Sequence, residues 1–406
     1  MKNRRVVITG MSVYTPIGME LETFWKNSLK GVVGYDAYED DEICEGEKKI
    51  LGLLPRKKFD LENEDEMGRP AYLALNSAIE AVNMANLDLN CVDRQKVGVC
   101  IANAISNTPF CEKVYRHPEE TYSNIYEKGM FSFISYEISK YFDIKGSSMV
   151  ISTGCTGGID AIGYAYENIR EGVHDIMICG GVETPIANMT IRSFEAIGAL
   201  AKGFEKAPQS ASRPFDIGRN GFVLSEGCAM LVLEDFDIAV KRGATIYGEI
   251  LSYESCNNAY HMTDLLNDGS DLAHIIMKAL QEAKIEASMI DYINAHGSST
   301  WQNDIFETEA YKKAFGEYAY RIPISSTKSV TGHPLAAASA IETVHTVLAL
   351  QNNIVPPTIN IKETDEKTDL NYVSNTPLKK NIRYALTNAN GFSGLHSVLV
   401  LTKGKE

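Results

Sequence analysis

A buried strand, a turn of small residues and a long helix rich in Ala and Gly occur twice in this chain. The first copy reads Ile151-Ser-Thr-Gly-Cys-Thr-Gly-Gly-Ile-Asp-Ala-Ile-Gly-Tyr-Ala, and the second Thr331-Gly-His-Pro-Leu-Ala-Ala-Ala-Ser-Ala-Ile-Glu. Helices this poor in bulky side chains can pack with little between their backbones. The repetition predicts a duplicated fold of two related halves. The pattern restarts near residue 243, which divides the chain into halves 1–243 and 244–406.

Short apolar runs alternate with helical stretches on both sides of that point. In the first half, residues 5–9 read as a buried strand ended by Gly10, with further strands at 97–102, 149–152, 175–181 and 228–234. Helices are expected over 21–29, closed by Gly31, and over 71–86 and 156–170. In the second half, strands are expected at 245–255, 291–294, 322–326, 384–389 and 397–401, with helices at 271–283, 305–315 and 335–350. This alternation predicts an α/β protein with mostly parallel, buried strands. Residues 36–66 are acidic and irregular, and read as a solvated surface insertion with room for a short strand.

The 406 residues carry 39 Lys and Arg against 53 Asp and Glu, a net charge of −14. That balance argues against a nucleic-acid partner, since phosphate contacts need clustered basic residues. No apolar run approaches the ~18 residues of a membrane span. The start, Met1-Lys-Asn-Arg-Arg, lacks the apolar core of a signal peptide, so a cytoplasmic protein is expected. The closest of the eight cysteines are nine residues apart, which excludes a Cys-x-x-Cys knuckle and favours reduced thiols. No Gly-x-Gly-x-x-Gly turn or ligand cluster is found, so no bound nucleotide, flavin or metal is expected.

Three residues stand where chemistry is expected. Cys155 lies where a strand ends and a helix begins, with Gly154 before it and Gly157-Gly158 after it. A thiol there feels the helix dipole, which lowers its pKa. Free backbone N–H groups in such a turn can also cradle an oxyanion. His296 follows a strand in Asn294-Ala-His-Gly, and His333 opens a helix in Lys328-Ser-Val-Thr-Gly-His-Pro. Functional groups in α/β sheets gather at the carboxyl ends of strands. A Cys with two His fits a hydrolase, an acyl transferase or a metal site, and local spacing does not choose among them.

Longer motifs do choose. Arg4-Arg-Val-Val-Ile-Thr-Gly-Met, Ser212-Arg-Pro-Phe-Asp, Asn220-Gly-Phe-Val-Leu-Ser-Glu-Gly, Asn294-Ala-His-Gly, Ser326-Thr-Lys-Ser-Val-Thr-Gly-His and Asn390-Gly-Phe-Ser-Gly occur in that order. Through them the whole chain resembles the β-ketoacyl synthases, condensing enzymes of thiolase-like fold. The resemblance implies a duplicated α/β fold layered αβαβα. Within the family the chain looks most like the ketosynthase alpha subunit of type II polyketide synthases. Residues 152–165, Cys256-Asn-Asn-Ala-Tyr-His-Met-Thr and Gln302-Asn-Asp carry that likeness.

The resemblance implies roles. Cys155 would take an acyl chain from an acyl carrier protein as a thioester. His296 and His333, as neutral imidazoles, would bind the malonyl thioester carbonyl and promote loss of carbon dioxide. The backbone N–H groups of Cys155 and Phe392 match the family's oxyanion hole, and Phe392 also matches its gating aromatic. Lys328 matches the lysine supporting the His site, Glu307 the carboxylate that pairs with it, and Glu342 a buried, more structural glutamate. Ser298 and Thr300 match hydroxyls that contact phosphopantetheine, which arrives on the carrier protein with no cofactor resident in the enzyme.

Such alpha subunits pair with a chain-length factor, a homologue lacking the nucleophile, so a heterodimer making an aromatic polyketide is the first expectation. A homodimeric fatty-acid synthase of the same family is the alternative. Arg69, Lys202, Lys206 and Arg213 are candidates for carrier-protein docking. The chain also departs from the fatty-acid pattern. Trp301 stands where Pro is common, Asn390 replaces the first aromatic of Phe-Gly-Phe-Gly-Gly, and Leu395-His396 replaces the usual Thr-Asn. Pro334 follows His333 directly, a substitution that a helix's first position tolerates.

Overall fold

The computed structural model describes residues 4–55, 61–265 and 268–404, so part of the acidic stretch 36–66 lies outside the described residues. Ten strands form one sheet. In chain order they are β1 (Val6–Tyr14), β2 (Val97–Ala102), β3 (Ser148–Ile151), β4 (Ile176–Glu183), β5 (Gly227–Asp235), β6 (Gly248–Asn257), β7 (Tyr292–Asn294), β8 (Ile324–Ser325), β9 (Tyr384–Gly391) and β10 (Leu395–Thr402). The helices that cover the sheet are α1 (Arg69–Met84), α2 (Phe131–Phe142), α3 (Gly157–Arg170), α4 (Asn188–Ala196), α5 (Ser270–Ala283), α6 (Trp301–Phe315) and α7 (Leu335–Asn352).

The strand order is β8-β7-β9-β10-β6-β1-β5-β4-β2-β3. Read outward from the centre, β1-β5-β4-β2-β3 and β6-β10-β9-β7-β8 repeat one order, and an antiparallel β1–β6 pairing joins them. The directions repeat as well: β2–β3 and β2–β4 are parallel, as are β7–β8 and β7–β9. The remaining pairs are antiparallel. The expectation of a mostly parallel sheet is therefore corrected to a mixed one. The tight turn between β9 and β10 permits only an antiparallel return.

Side-chain alternation divides the strands between layers. Val97, Val99 and Ile101 face one core with α1 and α2, while Cys100 and Ala102 face another with α3 and α7. In the second half Ile293, Leu386 and Val398 face α5 and α6, while Tyr292, Ala385 and Leu399 join the central core. The result is the αβαβα layering, with α3 and α7 in the middle. Nearly every residue of α7 is buried, as a helix between two sheet faces requires. The two central helices touch closely: a Cβ added to Gly158 would stand 2.3 Å from the Ala340 nitrogen.

Gly10 does not end the first strand. β1 runs to Tyr14, with a register irregularity between Ile8 and Gly10. That bulge shifts the side-chain parity, so Val6 and Ile8 face the same core as Met11 and Val13. A Cβ at Gly10 would also meet the Ala81 carbonyl oxygen of α1 at 2.1 Å. The acidic insertion is more ordered than expected: Asp36–Glu39 and Lys48–Gly52 form an antiparallel pair, extended by Leu224–Ser225. Residues 108–142, for which no element is expected above, form helices Thr108–Arg116 and Ile125–Gly129 and then α2. Among the described residues no helix is long and apolar enough to cross a membrane.

Candidate active site

Cys155 sits on a single 3-10 turn, Gly154–Thr156, between β3 and α3. Gly154 takes φ +62°, a left-handed conformation that glycine reaches without strain. Asp160 holds this turn from within α3. Its carboxylate accepts hydrogen bonds from Thr153 Oγ1 (2.5 Å) and Thr156 Oγ1 (2.7 Å) on either side of the cysteine. Tyr253 and Ser397 of the second half also donate their hydroxyls to it, at 3.0 and 2.5 Å. From α7, Ser339 donates its hydroxyl to the Cys155 carbonyl at 3.0 Å and accepts the Ile159 N–H at 3.1 Å.

His296 follows β7, and His333 directly precedes Pro334 and α7. The His333 N–H donates to the Val223 carbonyl (2.7 Å), and its ring lies 5.0 Å from that of Phe222. The imidazole centroids are 5.4 Å apart. The Cys155 sulfur and one nitrogen from each imidazole all lie within 4.8 Å of one another. They open into a cavity of about 610 Å³ lined also by Ser298, Thr300, Trp301 and Phe392. The Ser298 and Thr300 hydroxyls are 2.8 Å apart. These thiol and imidazole donors are also of the kind that binds a soft divalent cation, although the Lys328 ammonium beside them opposes one.

Lys328 lies on the one-turn helix Lys328–Thr331 and is buried. Its three donors have three acceptors: the His296 carbonyl (2.7 Å), His296 Nδ1 (3.3 Å) and Glu342 Oε1. A donor at Nδ1 leaves the His296 proton on Nε2. Burial, followed by Lys328, holds both imidazoles well below the ordinary histidine value, so they are neutral at neutral pH. Burial also pushes Glu342 up to about 7, against the pull of Lys328.

Three sequence-based expectations need correction. Glu307 is not the partner of Lys328: Glu342 holds that place. Glu307 instead accepts the backbone N–H groups of His296 (2.7 Å) and Gly297 (2.8 Å), together with Tyr311 Oη–H (2.8 Å) and Asn388 Nδ2–H (2.7 Å). It shapes the turn that carries His296. The Cys155 thiol is not lowered in pKa, because desolvation outweighs Lys328 and pushes it up to about 11. Arg69 is not a free docking charge: it lies between Glu64 (2.8 Å) and Glu226 (2.7 Å). Arg213 is also largely buried, beside Asp216, whereas Lys202 and Lys206 are exposed.

The part played by Asp160, and Tyr311 and Asn388 around Glu307, went unread in the sequence. For Asp160 a signal exists: Thr156 and Asp160, four apart, share one helix face. Phe392 follows Gly391, whose backbone runs beside the nucleophile turn: an added Cβ there would lie 3.7 Å from the Cys155 nitrogen. Trp301, half exposed at the cavity, has the Arg219 guanidinium 4.6 Å from its ring centre.

Residues 3–238 match the family described as beta-ketoacyl synthase, N-terminal domain, and residues 247–362 its C-terminal domain. The chain belongs to the beta-ketoacyl synthase family. It is therefore a condensing acyltransferase. It is 38% identical to the actinorhodin polyketide putative beta-ketoacyl synthase 1 of Streptomyces coelicolor, over 98% of this chain and 88% of that one. To the 3-oxoacyl-[acyl-carrier-protein] synthase 2 of Coxiella burnetii it is 36% identical, over 99% of each chain. Among solved structures it resembles a type II polyketide synthase ketosynthase bound to the hexaketide, in complex with its acyl-carrier protein. That likeness has a TM-score of 0.92 and 40% identity, covering 99% of this chain and 100% of that one. The ishigamide ketosynthase/chain length factor follows at TM-score 0.90 and 28% identity, with the same coverage.

Proposed function

We propose that this beta-ketoacyl synthase is the catalytic ketosynthase subunit of a type II polyketide synthase, acting in the cytoplasm with a homologous chain-length factor. The observation that carries the reading is the convergence of Cys155, His296 and His333 within 4.8 Å on one cavity. Cys155 attacks an acyl-carrier thioester, forming a thioester to its own sulfur and releasing the carrier thiol. The malonyl group then arrives on a carrier protein's phosphopantetheine, past Ser298 and Thr300. Its thioester oxygen accepts from His296 Nε2–H and from His333, so the electron pair left by departing carbon dioxide is held as an enolate. The enolate carbon attacks the Cys155 thioester carbonyl, and the N–H groups of Cys155 and Phe392 stabilise the resulting oxyanion. The carbon–sulfur bond breaks, the leaving thiolate takes a proton from water to restore the thiol, and the chain on the carrier is two carbons longer.

Lys328 supports the imidazoles by occupying His296 Nδ1, and Glu307 supports them through the backbone. The halves 1–243 and 244–406 supply the thiol and the imidazoles respectively. Strand β3 ends the sheet with a half-buried edge. Exposed Tyr115, Tyr126, Phe131, Tyr136 and Tyr141 add apolar surface in the neighbouring helical region. An edge strand beside an apolar face supports pairing with a homologous subunit. Lys202 and Lys206 remain as docking charges for an acidic carrier protein. An aromatic product is the first choice, and the neighbour at 40% identity, a type II polyketide synthase ketosynthase bound to a hexaketide, supports a polyketide chain.

The likeness to the Coxiella protein favours a second reading, a homodimeric fatty-acid-type synthase. Intact mass after incubation with malonyl-carrier protein, with and without a co-expressed homologue lacking the cysteine, separates the two. Extended chains that need the partner and vanish in Cys155→Ala support the polyketide subunit. Two-carbon extension by the chain alone supports the homodimer. No acylation of Cys155 under either condition overturns both.

A further inference from the structure

Asn390 and His396, two positions where the chain leaves the fatty-acid pattern, are paired across the β9–β10 turn. His396 Nδ1 lies 3.0 Å from Asn390 Oδ1. Asn390 Nδ2 lies 3.0 Å from Asn303 Oδ1, and Asn303 Nδ2 lies 3.3 Å from Glu307 Oε2 and 3.1 Å from Asp304 Oδ1. All of these residues are buried, and the His396 ring stacks on Phe306 at 5.0 Å.

The carboxylates fix the direction of the whole chain. They only accept, so Asn303 must turn its N–H₂ toward them and its oxygen toward Asn390. Asn390 must then present its N–H₂ to Asn303 and its oxygen to His396. His396 must carry its proton on Nδ1, which leaves Nε2 to accept from Asn258 Nδ2 at 3.5 Å. Every link donates toward Glu307, and Glu307 grips the backbone of His296 and Gly297. At the other end, Asn390 leads straight into Gly391 and Phe392 beside the Cys155 turn. One side-chain relay thus ties the acyl side of the site to the imidazole side.

We propose that His396 and Asn390 are positioning residues for carbon–carbon bond formation, setting the acyl thioester against the enolate. This rests on the condensing mechanism above. Acylation of Cys155 uses one side of the site and decarboxylation uses the other. Only condensation needs both sides in register, and small misplacements are costly at that step.

His396→Phe keeps a ring against Phe306 but removes the Nδ1–H. With the chain-length partner present, it should lower the condensation kcat by about 10- to 100-fold. Cys155 acylation and malonyl decarboxylation should stay within about threefold, and the KM for malonyl-carrier protein within about twofold. His396→Gln, which can again donate to Asn390, should recover most of the loss. The double variant His396→Phe/Asn390→Ala should be no worse than His396→Phe alone, as expected for one linked chain. Should His396→Phe fail to fold, Asn390→Ala breaks the same relay without touching the ring, and the same outcomes apply. Unchanged condensation overturns the proposal, as does a parallel fall of all three rates with the melting temperature. Failure of the wild-type enzyme to acylate Cys155 would instead overturn the mechanism beneath it.

Discussion

The turn after β3 and the turns after β7 and β8 stand at opposite ends of the sheet, and they are supported by opposite means. Around Cys155 the supports are hydroxyls: Thr153, Thr156, Tyr253 and Ser397 all donate to Asp160. Around His296 and His333 the supports are ionic, with a fully buried Lys328–Glu342 pair and the carboxylate of Glu307 on the backbone. Duplication placed strand-to-helix turns face to face, and in the proposed mechanism one side holds a soft nucleophile and the other a preorganised polar wall. Hydroxyls can rotate to follow a sulfur that is acylated and released. A wall that stabilises a developing charge gains by not moving.

That comparison breaks first at the ion pair. Lys328→Met strands Glu342 in the core and frees His296 Nδ1, so stability should fall by about 3–5 kcal/mol. Condensation should fall more than about 100-fold. Asp160→Asn, the counterpart in the first half, should cost only about 1–3 kcal/mol, because its hydroxyl donors can find other acceptors. Urea unfolding of both variants measures the difference, and equal costs would show that the two turns are supported alike.

The outer edges of the halves contrast in the same way. The β8 edge is covered by its own chain: Ile324 N–H donates to the Asn371 carbonyl and Val373 N–H to the Ile324 carbonyl. Among the described residues no strand pairs with the outer edge of β3. Ser148→Lys together with Tyr136→Glu should therefore convert the proposed dimer to a monomer in sedimentation, with the fold retained by circular dichroism. Placing a charge on Tyr372 of the covered edge should instead cost stability without changing the oligomeric state.

Much of this was legible in the sequence, for physical reasons. Buried strands and Ala/Gly-rich helices declare themselves by composition, so β2 and the central helices fall within a residue or two of their expected limits. Motifs named Cys155, His296 and His333 because such groups need Gly-rich turns around them. The Lys328–Glu342 pair was hidden, since it spans a Gly-His-Pro turn that no helical period connects. Glu307 was misassigned because a carboxylate that serves backbone N–H groups leaves no charge partner in the sequence.

Close contact between the central helices gives a smaller effect. Gly158→Ala places a methyl 2.3 Å from the Ala340 nitrogen, so α3 and α7 must move apart. Overpacking of this kind costs about 1–3 kcal/mol. Thermal unfolding should register it, and activity should fall further than stability because the same shift moves Ser339 away from the Cys155 carbonyl. Gly129, where an added methyl would meet only the Cys111 sulfur at 3.6 Å, serves as the control position for thermal unfolding.

The gentlest test concerns the thiol itself. The sequence places Cys155 at a helix start, where a low pKa is expected, while burial in the structure pushes it up to about 11. If burial wins, the thiol is protonated at neutral pH and only the rare thiolate reacts. Its alkylation by iodoacetamide, followed on the Cys155 peptide, should then climb about tenfold per pH unit from pH 7 towards 10. Lys328 is the largest influence pulling the value down, so Lys328→Met should slow alkylation at every pH in that range. A rate that levels off near pH 8 would mean that the helix N-terminus outweighs desolvation. In the first case the proton must leave as the sulfur attacks, passing to the carrier sulfur that departs as its thiol. In the second, the first half would hold its nucleophile ready-charged, and the two turns would be more alike than their supports suggest.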